Sequence, residues 1–446
     1  MSTTTISKKK PIGFYICSLT FTFERMAFYS VKWMLVYFFV ASISEGGLGL
    51  TESAGAAFQA NFVAFTYITP VLMGTLADKY IGGRYCVAAG MLLMGIGYIV
   101  AGFADSIFLV YAMLFLVSVG TGLFKSNLTA MIGRLFYNQE ELDAAFSTYY
   151  SFVNIGSFIG TTIVAFLVAS YGYSMTFIIY GVITLIGFIW FLVGLKHLGD
   201  VGKKPFKIDE RVEEVEKKDT KPLTTKEKQR VFAICVISGF SVIFWLFWYL
   251  AYLPVYYHWD AGGAANWVVA GFTVPSAWFD SLNALCCISL GPILGSLWIK
   301  LSKRPQGDLS LFKKTAIGLW LLGASYLVFA AAEISRGDGQ ASLLWLVLFG
   351  VLLSLGEMFF SPLGNSFVSK YAPAKILSVM MAVWIGSVFF ASKTYGYVYN
   401  IAFSEGSNFV LSNIVIASIA IITGLLIFAS DKFFVKMLED DSTETV

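Results

Sequence analysis

FTFERMAFYSVK, Phe21 to Lys32, lies within an apolar run from about Phe14 to Ala41 that is long enough to cross a bilayer, yet it carries Glu24, Arg25 and Lys32 in its middle. Charge at that depth is expensive and usually marks a substrate or ion pathway. Glu24 and Arg25 are adjacent and project about 100° apart on a helix, so each is expected to find its partner elsewhere in the protein. The plain structural alternative is an ion pair between helices.

The composition around this stretch excludes a soluble domain. Of 446 residues, 57% are hydrophobic and only 13% charged, and the mean hydropathy is +0.73. A chain of this size could not hide so much apolar surface from water. Windows of about 20 apolar residues predict about twelve spans, at 14–41, 55–77, 84–104, 107–135, 142–170, 173–196, 229–257, 267–300, 312–333, 342–369, 375–402 and 409–434. The runs are continuous rather than alternating, which excludes an outer-membrane barrel and predicts an all-α integral membrane protein.

The position of the basic residues matters more than the net charge of +3. Lys8 to Lys10, Lys79, Arg84, Arg134, the segment 197–230, Lys300 to Lys314, Lys370, Lys375, Lys432 and Lys436 all fall on one side if the spans alternate, with Arg336 the exception. Both termini and the central segment are therefore expected in the cytoplasm, with the chain multi-pass in a plasma or inner membrane. The five cysteines lie in or at the ends of apolar runs without metal-ligand spacing, and are expected to be core residues. The two histidines, His197 and His258, form no nucleophile and base arrangement, so enzyme activity is not expected.

Along the chain, six spans (1–196) precede a charged linker (197–228), and six more follow (229–446). The loop after the second span reads GTLADKYIGGR, Gly74 to Arg84, where Asp78, Lys79 and Arg84 can clamp neighbouring helices in one state and release them in another. GTGLFKSNLTAMIGRLF, Gly120 to Phe136, sets Lys125 well inside the bilayer, where Glu24 is its natural partner. DAAFSTYYSFVNIGSF, Asp143 to Phe158, places Tyr150 and Asn154 on one helical face, able to bond a polar ligand or a neighbouring helix, with Gly156 a possible notch for close packing. Pro254, Pro275, Pro292 and Pro362 interrupt helices in the second half and can loosen them.

The two bundles of six and the Gly74 to Arg84 loop resemble the major facilitator superfamily, in which a central site lies near the midplane between the halves. Within it, FERMAFYS, YITPVLMGTLADKYIGGR, GTGLFKSN and DAAFSTYYSFVNIGS resemble the proton-dependent oligopeptide transporter family, the peptide transporters. So do VPSAWFDSLNAL (Val274 to Leu285), LGEMFFSPLGNS (Leu355 to Ser366) and SVMMAVW (Ser378 to Trp384).

The resemblance implies site residues and also shows departures. Glu24, Arg25 and Tyr29 match the family's first-helix motif, but Phe21 replaces its first glutamate, Met26 its aromatic and Phe28 its first tyrosine. The span-seven segment FWLFWYLAYLP, from Phe244, lacks the family's acid until Asp260. By resemblance, Glu24, Arg25 and Lys125 carry proton coupling, with Glu24 and Lys125 a switchable pair. Arg25 and Lys125 on one side and Glu357 on the other orient a zwitterion by its two ends, and Tyr29, Tyr67, Asn154, Trp278, Asn283 and Trp384 line the pocket. Asp280 stands where the family has a neutral residue; it either restores a carboxylate or pairs with Lys393 or another helix residue. Lys32 stands where the family has arginine and can pair with Asp260 as an outer gate.

The expected function is import of di- or tripeptides by alternating access, coupled to protons. The alternatives are another small zwitterion or anion as cargo, or an uncoupled facilitator, because two family carboxylates are absent; a receptor that does not transport fits less well. The expected partners are a small peptide, protons and membrane lipid, with no cofactor, metal, nucleic acid or obligate protein partner.

Overall fold

The computed structural model describes residues 10–136, 139–205, 222–305, 307, 309–360, 364–373, 376–403 and 406–438. The described chain is nearly all helical. Its first half contains α1 (Ile12–Val40), α2 (Glu52–Lys79), α3 (Gly83–Gly102), α4 (Ile107–Gly133) and α5 (Gln139–Gly194). At about 1.5 Å per residue, the 56 residues of α5 would run about 84 Å, far beyond a bilayer. The helix is broken at Gly172, whose φ of 73° and ψ of 176° are non-helical and accessible to a residue without Cβ. The two spans expected on either side of this point are therefore separate.

The second half begins with α6 (Thr225–Leu250), followed by one turn, α7 (Tyr252–Pro254), and a π-helix over Val255–Ala261. Thr224 caps α6 reciprocally: its hydroxyl accepts from the Glu227 amide, and Glu227 accepts from the Thr224 amide. Then come α8 (Trp278–Ser302), α9 (Leu311–Arg336), α10 (Leu343–Phe360), α11 (Gly364–Tyr371), α12 (Leu377–Ala402), α13 (Phe409–Ala429) and α14 (Asp431–Leu438). Among the described residues, nine helical stretches are long and apolar enough to cross a membrane, and one of them, Thr148–Leu198, contains the break at Gly172. Counting it as two and adding α1 and α12, which carry ionic residues, gives the expected twelve.

The expected span 267–300 is corrected. Val268–Val269 and Phe272–Thr273 form a small antiparallel hairpin, and the helix starts only at Trp278. The turn residues Ala270 and Gly271 both have positive φ, 52° and 82°, which suits the right-handed twist of a tight hairpin. An apolar run there reads as a span because hydropathy does not distinguish a short strand pair from helix. Expected span 342–369 likewise resolves into α10 and α11, with Pro362 outside the described residues. Four cysteines are buried as expected, but Cys235 is exposed.

The chain forms two compact units. The first comprises Met1–Met34, Ala41–Leu48 and Phe65–Lys217. Its helices meet closely: a Cβ on Gly156 would lie 2.5 Å from the Thr22 carbonyl oxygen, and the Thr22 hydroxyl donates to the Phe152 carbonyl at 3.0 Å. This backbone approach, of the kind small residues permit, fixes α1 against α5. The second unit comprises Lys218–Val446 with Leu35–Val40 and Gly49–Ala64, the end of α1 and the start of α2. Polar contacts hold those pieces within it: Tyr395 donates to Gln59 at 2.8 Å, Tyr257 to the Val36 carbonyl at 3.3 Å, and Lys393 to Asn61.

Arg84 is buried at the start of α3. Its guanidinium donates to the carbonyls of Gly199 at 2.9 Å and Val201 at 2.7 and 3.2 Å. It thus ties α3 to the segment after the short 3-10 turn Leu195–Leu198. The side chain of Asp78, its expected companion, lies outside the described residues. Arg84→Ala is expected to cost about 1.5–3 kcal/mol, the range for hydrogen bonds to a charged group, measured as a lower Tm of the detergent-solubilised protein.

Candidate functional site

In the first unit the ionic groups sit on α1 and α4. Glu24 is fully buried and Arg25 nearly so. Contrary to the expectation that each needs a distant partner, they pair with each other: Arg25 Nε and Nη2 donate to the two Glu24 carboxylate oxygens, each at 2.5 Å. The long arginine stem folds back across the helix surface, which direction arguments from Cβ alone do not capture.

The neighbours of Arg25 explain why it stays there. Phe21, Phe28 and Tyr29, at i−4, i+3 and i+4, place their ring centroids 5.2, 4.4 and 5.5 Å from the guanidinium carbon. Rings at this range attract a cation through their quadrupole. Two of the three, Phe21 and Phe28, are among the residues that depart from the family motif. Phe21 also contacts Phe124 and Tyr149, at 5.2 and 5.1 Å between centroids, so the position of the missing glutamate has become part of an aromatic cluster.

Lys125 is half-buried with Nζ 4.6 Å from the Tyr67 ring centroid. The expected Glu24–Lys125 ion pair is not formed in this structure, because both Glu24 oxygens hold Arg25. Asn154 donates to the Tyr150 carbonyl of its own helix at 2.9 Å, and Tyr150 is exposed. Lys32 is buried with Nζ 5.5 Å from the Tyr29 ring.

In the second unit, Asn283 on α8 donates to Glu357 on α10 at 2.8 Å and to Ser354 at 3.1 Å. The amide thus links α8 to α10 through the carboxylate. Trp384 is buried and stacked on Phe360 at 6.4 Å, and Phe360 stacks on Phe244 at 4.1 Å. Trp278 opens α8 against Phe272 of the hairpin, 5.7 Å between rings.

Asp280, also buried, accepts from the Tyr256 hydroxyl. Asp260 accepts from Tyr37 at 2.5 Å, and the same Tyr37 hydroxyl bonds Ser276 at 2.7 Å. Lys32 and Asp260, the expected gate, fall in different units. Tyr37 and Tyr256 were missed by sequence reasoning: each is one aromatic among many in an apolar run, with no spacing that singles it out.

Ionic groups held within the spans of an all-helical fold define a polytopic membrane protein with charge in its interior. The chain belongs to the Major Facilitator Superfamily, whose profile matches residues 14–307. It is 27% identical over 425 residues to the uncharacterized transporter YclF of Bacillus subtilis, covering 84% of each chain. To a di-/tripeptide transporter of Lactococcus lactis subsp. cremoris it is 24% identical over 445 residues, covering 84% of this chain and 86% of the relative. A crystal structure of the peptide transporter POT in complex with sulfate superposes with a TM-score of 0.88 at 25% identity, over 96% of both chains. The resemblance to the peptide transporter family and the twelve-helix superfamily fold are both borne out.

Proposed function

We propose that the protein imports di- and tripeptides into the cytoplasm by alternating access, coupled to protons. The observation that supports this best is the ionic set of the first unit, a buried Glu24–Arg25 pair with Lys125 set over the Tyr67 ring, in a chain similar to peptide transporters over most of its length. A cation not engaged by a protein carboxylate can take the substrate's carboxylate. In this reading Lys125 and Arg25 bind that group, and Glu357, steadied by Asn283, takes the amino end. Tyr29, Tyr67, Asn154, Trp278, Asn283 and Trp384 contact the backbone and varied side chains, which makes the pocket permissive. The proton is the coupling ion, with Glu24 as its carrier. The protein resides in the cell membrane with both termini in the cytoplasm, as its basic loops favour.

A second reading, uncoupled facilitation, is favoured by one observation. Glu24 makes two 2.5 Å contacts to Arg25, and a buried ion pair of this kind can be purely structural. Reconstitution in liposomes with labelled dialanine separates the two. Accumulation driven by an inward proton gradient, and lost in Glu24→Gln while gradient-independent dialanine exchange per amount of folded protein is kept, supports coupling. Equilibration that ignores the gradient supports the facilitator, and no dialanine movement at all points to another small zwitterion or anion.

A further inference from the structure

The π-helix Val255–Ala261 carries an ionic cluster that the peptide reading does not use. Its His258 Nε2 lies 2.8 Å from Glu333 Oε2 on α9. The same Glu333 accepts from Arg336 Nε at 2.8 Å and, through Oε1, from Nη2 at 2.5 Å. The imidazole stacks on Phe409, the first residue of α13, with centroids 3.9 Å apart and planes 16° from parallel. A cavity of about 340 Å³ lined by His258, Glu333, Ser407, Asn408 and Phe409, among others, opens beside it.

We propose that His258 is a proton-binding site, and that its charge sets how firmly the π-helix is held to α9. A carboxylate only accepts hydrogen bonds, so Nε2 carries a hydrogen whether the ring is neutral or charged. The proton is therefore gained at Nδ1: its lone pair forms the new N–H bond with a proton from water, and the ring becomes imidazolium. The His258 side chain is 28% exposed, which gives that proton a route.

Protonation changes a neutral donor to Glu333 into an ion pair. Among the described residues, the charged groups at the cluster are Glu333 and Arg336 on α9, with Asp338 just beyond that helix acting on Arg336. α13 presents Phe409 and Asn408, and Asp260 on the same π-helix is engaged by Tyr37.

The consequence reaches further because this element is a hub. Tyr256 bonds Asp280, Tyr257 the Val36 carbonyl and Asp260 Tyr37, all within the second unit. π-Helical turns often sit at functional positions, and here consecutive residues reach α1, α8 and α9. A charge gained at His258 acts on the segment that positions those contacts.

The test is independent of cargo. The chain has two histidines, so histidine-selective 15N spectra of protein purified on a histidine-free tag contain two rings, and His197→Gln assigns them. The expected result is that the His258 Nδ1 signal responds to pH while Nε2 stays protonated. Glu333→Gln and Arg336→Gln are expected to move the midpoint in opposite directions, because one removes an attracting charge and the other a repelling one. In parallel, the Tm difference between wild type and His258→Gln is expected to change between pH 8 and pH 5. A ring that keeps one protonation state across this range overturns the proposal, as does a midpoint unmoved by either α9 variant that folds.

Discussion

Glu24→Gln is expected to destabilise the protein by about 3–5 kcal/mol, the cost of leaving one member of a buried ion pair without its partner. Glu24 is fully buried and both its oxygens hold Arg25, so the variant leaves a guanidinium among rings and no full negative charge to balance it. The aromatic contacts of Phe21, Phe28 and Tyr29 offset part of this, since a desolvated cation–π contact is worth about 2 kcal/mol. Thermal unfolding in detergent measures the loss. The double variant Glu24→Gln/Arg25→Gln is expected to recover much of it, because neither charge is then left alone. Strict additivity of the two single variants would show that the pair is not a unit, and would return Arg25 to the search for another partner.

Lys125→Gln is expected to lower dialanine uptake about 10- to 100-fold, the equivalent of the 1.5–3 kcal/mol carried by a hydrogen bond to a charged group. The stability cost should be small by comparison, because Lys125 is half-buried and its side chain is held by the Tyr67 ring rather than by a carboxylate. The two variants therefore separate: Glu24→Gln acts strongly on Tm, Lys125→Gln on uptake. Concentration-dependent uptake in liposomes, normalised to the amount of folded protein, measures the second effect. Wild-type uptake in Lys125→Gln would remove Lys125 from the proposed site.

The architecture was legible in the sequence to an unusual degree, and its errors have one cause. Hydropathy reports that a segment is apolar, and in lipid an apolar segment is helical because the backbone must satisfy its own hydrogen bonds. That argument held for the long runs and failed at 267–273, where a short hairpin with positive φ at Ala270 and Gly271 stands in place of helix and hydropathy alone gives no sign of it. It also treated α1 as a single piece of the first half, whereas Leu35–Val40 is held in the second unit by Tyr37 and by the Val36 carbonyl.

The candidate site was legible as a set of residues but not as a set of pairs. Glu24, Arg25, Lys125, Glu357 and Asp280 were each visible because an ionisable group in an apolar run has a high cost and therefore a reason to be there. Their partners were not. Glu24 was matched to Lys125 and lies on Arg25; for Asp280 a partner on another helix was expected without being singled out, and Tyr256 donates to it.

By itself, then, the sequence determined that this chain spans a membrane about twelve times as helices, and which buried charges its fold must accommodate, because transfer free energies and backbone satisfaction act on local stretches. Only the tertiary structure decided which charge meets which group. That choice turns on rotamers such as the folded-back Arg25 side chain, and on ångström distances between helices far apart in the chain, which neither hydropathy nor spacing encodes.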